Sequence, residues 1–247
     1  MASTRILSFN INAGFDLTRR RFLLPALRDA VREVDADVVL LQEVLGEHAG
    51  HARRHAQWPS QAQYDYLADA FWPHRAYGRN AAFAEGHQGN AVLSRFPIAA
   101  HGNHDVSIPG HEARGLLHAV IEVPDASQPL HVVNVHLGLR ESHRQWQVAR
   151  LVEMIRAHIP LDAPLVVAGD FNDWRTRAHP LLRAPGLREV FEDTHGRLAR
   201  TFPSSRPLLP VDRIYVRAAQ AVATNVLRAR PWSRLSDHCA LLAEIDF

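Results

Sequence analysis

Leu165-Val166-Val167-Ala168-Gly169-Asp170-Phe171-Asn172-Asp173 is an apolar, β-branched run that stops abruptly and delivers two carboxylates and an amide within four positions. Short continuous apolar runs of this kind read as strands buried on both faces. Gly169 lets the chain leave such a strand tightly. Asp170 and Asn172 then stand at its carboxyl end, where open α/β sheets place their ligands. Gly, Asp and Asn are also the ordinary residues of a strand-to-loop turn. The functional reading gains weight because the same grammar recurs along the chain.

Upstream, Thr4 to Ile11 alternates, with Ile6, Ser8 and Asn10 on one face and Leu7, Phe9 and Ile11 on the other. Helical spacing of Leu23, Leu27, Ala30, Val31 and Val34 predicts a helix over 19–34, opened by Arg19-Arg20-Arg21, which reads as a solvated face near the rim of a site. Val38 to Leu41 is a second apolar strand, ending on Gln42-Glu43. A carboxylate there needs a cationic partner, a metal ion or an arginine. Residues 46–88 read as an irregular excursion with a helix near 63–71.

Residues 89–95 and 98–105 look like a strand pair broken by Phe96-Pro97, and 115–123 with 130–137 look like a second pair. In the latter Asn134 and His136 share one face, and Arg114 enters at its start. Ser142-His143-Arg144-Gln145 matches a capping box ahead of an amphipathic helix ending at Pro160. Beyond the central stretch, 173–210 is loop-rich, 211–216 is a strand carrying Asp212, and Ser236-Asp237-His238 precedes a last strand at 239–245.

Composition narrows the chemistry. The 247 residues suit one large core, and no repeat or linker divides 1–247, so one catalytic domain is expected. All 28 basic residues are arginine, which excludes a Schiff-base lysine, a P-loop lysine and a Ser-Lys dyad. A single cysteine, Cys239, permits no internal disulfide, and the opening residues show no leader pattern, so a cytoplasmic location is expected. No apolar run is long enough for a transmembrane segment, and a net charge of +2 permits a nucleic-acid partner without demanding one. Nothing in the sequence sets an oligomeric state.

Polar residues therefore arrive at strand edges as Asn10, Glu43, His136, Asp170 with Asn172, Asp212, and Asp237 with His238. Oxygen donors without cysteine suit a hard cation, Mg²⁺ or Mn²⁺. Acids and two histidines around such an ion suit phosphoryl hydrolysis.

Asn10, Gln42-Glu43, Gly89-Asn90 with Ser94-Arg95, Asn134-Val135-His136, Gly169-Asp170-Phe171-Asn172, Asp212-Arg213-Ile214 and Ser236-Asp237-His238 occur in an order that resembles the endonuclease/exonuclease/phosphatase (DNase I-like) superfamily, from residue 5 to residue 245. Tyr77–Asn80, Gly89–Arg95 and His136–Glu141 are similar to a bacterial branch of it. The resemblance implies an α/β fold, a four-layer α/β/β/α sandwich of two facing mixed sheets with the site at one end. It implies Glu43, Asn10 and Asp237 as metal ligands, His238 oriented by Asp212 as base or phosphate-polarising imidazolium, Asp170 on the attacking water or a second metal, and Asn172 on a phosphate oxygen. His136 would act on the leaving-group side, and Arg114 and Asn90 would contact substrate. The carboxylate that buttresses the leaving-side histidine in DNase-like members has no counterpart; Gln88 is nearest and Glu85 lies three positions earlier.

The expected activity is metal-dependent phosphodiester hydrolysis, of DNA or RNA first. The alternatives are a phospholipid, sphingomyelinase-like diesterase that takes a lipid head group, a sugar- or inositol-phosphate phosphatase, and a catalytically silent binding module. Exposure of Trp58, Phe71, Trp72 or Trp174 as an apolar patch would favour the lipid reading.

Overall fold

The computed structural model describes residues 2–247. Strands β1 (Ser3–Asn10), β2 (Val38–His48), β3 (His74–Phe83), β4 (Gly86–Ser94), β11 (Gln220–Leu227) and β12 (Ala240–Asp246) form one six-stranded sheet, in the order β11-β12-β1-β2-β4-β3. Strands β5 (Ile98–Asp105), β6 (Gly115–Ile121), β7 (Leu130–His136), β8 (Leu165–Asp170), β9 (Arg188–Glu189) and β10 (Asp212–Arg217) form the other, in the order β5-β6-β7-β8-β10-β9. Both are mixed: β1–β2 and β7–β8 are parallel and the remaining pairs antiparallel.

The alternation of each strand explains the layers. Ile6, Val38, Leu40 and Val92 of the first sheet meet Leu117, Val132, Val166 and Ile214 of the second in the central core. Leu7, Phe9, Val39 and Leu41 point the other way and are covered by α1 (Leu24–Glu33) and α3 (Gln63–Ala68). Val133, Val135, Leu165 and Val167 are covered by α4 (Glu141–His158) and α5 (His179–Arg183). Strands buried on both faces must be apolar throughout, and β8 is buried at all six positions. The α/β/β/α sandwich expected from the sequence is the observed fold.

Several local expectations change. Helix α1 starts at Leu24, with Pro25 in its first turn, because residues 16–21 fold into a turn on the Asp16 carboxylate instead. The 46–88 excursion is more regular than expected: β2 continues to His48, α2 (Ala49–Arg54) follows, and β3 is a full strand at the sheet edge. Strands β4 and β5 do not pair with each other; across Phe96-Pro97 the chain passes from one sheet to the other. Ser142 lies inside α4, whose N-cap is Arg140 without a side-chain cap, so the capping box does not form. Gly169 is a strand residue, not the exit turn. Its φ is +141°, and a Cβ there would lie 2.0 Å from the Val135 carbonyl oxygen, so only glycine lets β8 approach β7.

Candidate active site

Register assembles the site. Parallel pairing of β7 with β8 sets His136 beside Asp170, and antiparallel pairing of β8 with β10 sets Asp212 opposite Asp170. His136, Asp170 and Asp212 thus form one row across the carboxyl end of the second sheet's central strand. His238, delivered just before β12 from the other sheet, closes on this row. Its Nδ1 is 2.8 Å from Asp212 Oδ2 and its Nε2 is 3.8 Å from Asp170 Oδ2. Donor atoms of Asp170, Asp212 and His238 all lie within 4.8 Å of one another.

The first sheet supplies the opposite wall. Asn10 Nδ2 donates to Glu43 Oε1 and to Asp170 Oδ2, both at 3.2 Å, and so joins the two sheets at the site. Glu43 reaches that position because Gln42 and Glu43 bulge out of β2 opposite Asn90, with Glu43 in the left-handed region at φ +55°. A bulge re-aims one side chain without disturbing the rest of the strand. Asn172 is also left-handed, at φ +51°, with its N–H donating to Asp170 Oδ1 (2.8 Å) and its Nδ2 to the Leu137 carbonyl (2.9 Å). Strained backbone thus clusters where carboxylates and amides are aimed.

Electrostatics divide the two histidines. Burial alone would lower the His238 imidazole, but the Asp212 and Asp170 carboxylates outweigh it and hold it above its usual value, as an imidazolium at neutral pH. His136 moves the other way: burial, with Arg114 and His238 nearby, holds it well below 6.5 and neutral. Burial, with Asp212 and Glu43 close by, lifts the Asp170 carboxyl above its ordinary range.

Both nitrogens of His238 face carboxylates, so it has no lone pair to offer a metal. The Asp170–Asp212–His238 group is therefore a proton and charge network, and the oxygens that could face a hard cation are those of the Glu43 and Asp170 carboxylates; Asn10 turns its Nδ2 to both, and its Oδ1 accepts from the Asn12 N–H at 3.0 Å. A cationic group already answers Glu43 there. Arg19, at φ +54°, turns its guanidinium onto Glu43 Oε2 at 3.0 Å and onto Asn12 Oδ1 at 2.8 Å. Asp237 is half-buried, its Oδ1 3.2 Å from the Ser236 hydroxyl, which also bonds the Asn10 carbonyl at 2.7 Å.

Arg114 is buried, pairs with Glu112 at 2.9 Å and leaves its Nε without a partner. It lines a small cleft with Glu43, Asn80, Gln88, Asn90 and His136. Asn90 gives its Nδ2 to the carbonyls of Gly115 (3.2 Å) and Asn134 (3.3 Å), so it braces the sheets as well as facing the cleft. Glu85 pairs with Arg53 instead of reaching His136, whose carboxylate neighbour is Asp170, 3.5 Å from Nε2.

In the sequence Arg19 stands out only within the charged run at the rim and Asn80 only within the Tyr77–Asn80 motif, and nothing local marks Phe202, whose ring lies 5.0 Å from the His238 ring. The Arg19-Arg20-Arg21 run and the Tyr-Gly-Arg-Asn motif were the available signals for the first two. Asn134, by contrast, is structural: it is fully buried, donates to the carbonyls of Leu41 (2.9 Å) and Ala91 (2.8 Å), and accepts from Gln42 (2.7 Å).

A two-sheet sandwich with an acid–histidine row facing an oxygen-donor wall defines a DNase I-like phosphoesterase architecture. The profile of the Endonuclease/Exonuclease/phosphatase family matches residues 7–238, and the chain belongs to that family, whose chemistry is hydrolysis of phosphate esters. It is 53% identical over 244 residues to the uncharacterized protein YbhP of Escherichia coli K12, covering 98% of this chain and 96% of that one. Among solved structures, an endonuclease/exonuclease/phosphatase from Beutenbergia cavernae superposes with a TM-score of 0.78 at 19% identity, over 100% of this chain and 72% of that one. A mannosyl-6-phosphatase from Bacteroides thetaiotaomicron superposes with a TM-score of 0.72 at 16% identity, over 99% of this chain and 100% of that one. At these identities the two structures share the fold.

Proposed function

We propose that this chain is a Mg²⁺- or Mn²⁺-dependent phosphodiesterase that hydrolyses nucleic acid. The observation that carries the reading is the unbroken contact path Glu43–Asn10–Asp170–His238–Asp212, which brings oxygen donors, an acceptor carboxylate and an imidazolium from both sheets to one end of the sandwich. A silent binding module has no need of a buried imidazolium between two carboxylates, since burying unpaired or mismatched charge is costly.

A divalent cation would be held by the Glu43 carboxylate, with Asp237 alongside and with Asn10 once its amide turns to present Oδ1, and would supply positive charge to the phosphate oxygens. Asp170, lifted by burial and placed between Asn10 and the histidines, orients the attacking water and accepts its proton. As the water oxygen bonds to phosphorus, the bond to the leaving oxygen opposite breaks, and the departing alkoxide takes a proton from solvent. His238, fixed by Asp212, donates to a non-bridging oxygen, where charge accumulates. Arg114 and neutral His136 face the cleft on the leaving-group side, and Asn172 and Asn90 contact the phosphate and its substituent.

Of the aromatics whose exposure would favour a lipid substrate, Trp174 is 39% exposed, with the Arg144 guanidinium over its ring at 4.8 Å as a charged cover. Trp72 is fully buried, Trp58 stacks on Phe22 at 4.8 Å, and Phe71 packs on Arg32 and Arg95 beside Asp35, at the amino end of β2 and away from the site. No helix is long and apolar enough to cross a membrane.

The test is cleavage of a labelled duplex bearing one abasic site, beside its undamaged twin, with Mg²⁺, with EDTA and with His238→Ala protein. Metal- and His238-dependent cutting of either duplex is expected, and the ratio names the preferred DNA. Hydrolysis of neither, with turnover of a lipid or sugar phosphate, would sink the nucleic-acid reading.

A further inference from the structure

A cleft of about 590 Å³ opens beside the edge strand β11, between α6 (Val190–His195) and the 196–210 loop. Arg197, Arg200, Arg228, His195, Thr224 and Asn225 line it. The acids nearest in sequence are engaged elsewhere: Glu192 with Arg183 at 2.6 Å and His179 at 3.1 Å, and Asp193 with Arg188 at 3.2 Å. Among the described residues, no ion pair or hydrogen bond engages the side chains of Arg197, Arg200 or Arg228. All three arginines are exposed, and with no acid in the lining an anion entering the cleft meets positive charge that no carboxylate answers.

The cleft is joined to the catalytic end by its own walls. In the loop that forms one side, Thr201 Oγ1 accepts from the Asp212 N–H at 3.3 Å and the Phe202 ring packs on His238. On the other side Leu227, the neighbour of Arg228, pairs with Ala240, two residues beyond His238. A single phosphate occupies one guanidinium fork; three such forks on two chain segments suit a polymer that repeats its phosphates. A membrane surface would call for a convex apolar projection, and this is a concavity whose lining combines the three arginines with apolar residues such as Phe191, Leu198 and Val226.

We infer that this cleft is the track for the sugar-phosphate backbone of the nucleic-acid strand whose scissile phosphodiester lies at His238. The inference rests on the phosphodiesterase reading above.

The test uses the whole chain and two readouts. Binding of a fluorescent single strand of about a dozen nucleotides is followed by anisotropy in EDTA, across a salt series, for wild type and for the combined Arg197→Gln, Arg200→Gln, Arg228→Gln protein. Hydrolysis of bis(p-nitrophenyl) phosphate with Mn²⁺ is measured for both. The substituted protein is expected to bind about tenfold more weakly, with its salt slope reduced by about 2, as loss of three phosphate contacts on a single strand requires. Its hydrolysis of the small diester is expected to be unchanged, and Arg→Lys at the same positions should restore most of the binding. Equal affinity and slope in both proteins would overturn the inference. So would loss of binding to phosphatidylglycerol vesicles with oligonucleotide binding untouched. A wild type that turns over the small diester but does not bind the strand leaves the phosphodiesterase standing and removes the track. No turnover of the small diester together with no binding of the strand removes both.

Discussion

His238 Nδ1 and Asp212 Oδ2 lie 2.8 Å apart although they come from different sheets and stand 26 residues apart in the chain. The contact fixes which imidazole nitrogen faces the reacting centre and keeps the ring charged. Asp212→Asn preserves the shape and removes the charge. We expect kcat on a phosphodiester to fall by about 10⁴-fold with KM little changed, the order seen when such a carboxylate is neutralised. Loss of less than tenfold would show that His238 acts without this partner.

Glu43 is the carboxylate that the bulge in β2 aims into the site. Glu43→Ala should abolish activity and raise the Mg²⁺ or Mn²⁺ concentration needed for any residual turnover, with metal affinity read independently by calorimetry. Unchanged calorimetric affinity would remove Glu43 from the ligand set.

Arg19 and an arriving cation compete for Glu43. The Arg19 side chain is 66% exposed, so its ion pair is screened and worth about 0.5 kcal/mol, a factor of two to three in an equilibrium. Arg19→Met should therefore lower the half-saturating Mn²⁺ concentration by about that factor. A rise instead would mean that Arg19 supports metal or phosphate binding.

Asn134 holds the sheets together just below the site. Removing its amide strands the Leu41 and Ala91 carbonyls and the Gln42 amide in the core. Asn134→Ala should cost roughly 2–4 kcal/mol in urea unfolding. An effect on turnover at low temperature without a stability loss would assign it a chemical role.

Glu189 tests burial away from the chemistry. Burial outweighs its hydrogen bonds and raises its carboxyl from 4.5 to about 7. A group with a raised folded pKa contributes stability that is complete below the unfolded value and is lost as pH rises through the folded one. The wild type should thus lose about 3 kcal/mol of unfolding free energy between pH 4.5 and pH 7 through this group. Glu189→Gln should flatten that slope, which urea titrations at several pH values will read.

The strand-end deliveries were legible in the sequence because each is local. An apolar run that ends on Asn10, Asp170 or His136 states its own period and its own terminus, whereas Glu43 sits at a bulge inside β2. The sandwich was legible because strands apolar on both faces need cover on both. What the sequence did not decide is pairing. Edge strand β3 and the equally peripheral β11 are half-exposed and carry weak alternation, so β3 reads as an irregular excursion and β11 gives no signal. Strands β4 and β5 are neighbours in the chain and belong to different sheets. The approach of Arg19 to Glu43, the aiming of Glu43 by a left-handed bulge residue, and the arginine cleft beside β11 also come only from the tertiary structure. Periodicity and termini are encoded within a few residues, whereas register, bulges and surface concavities depend on partners far along the chain, chosen by the packing of the whole core.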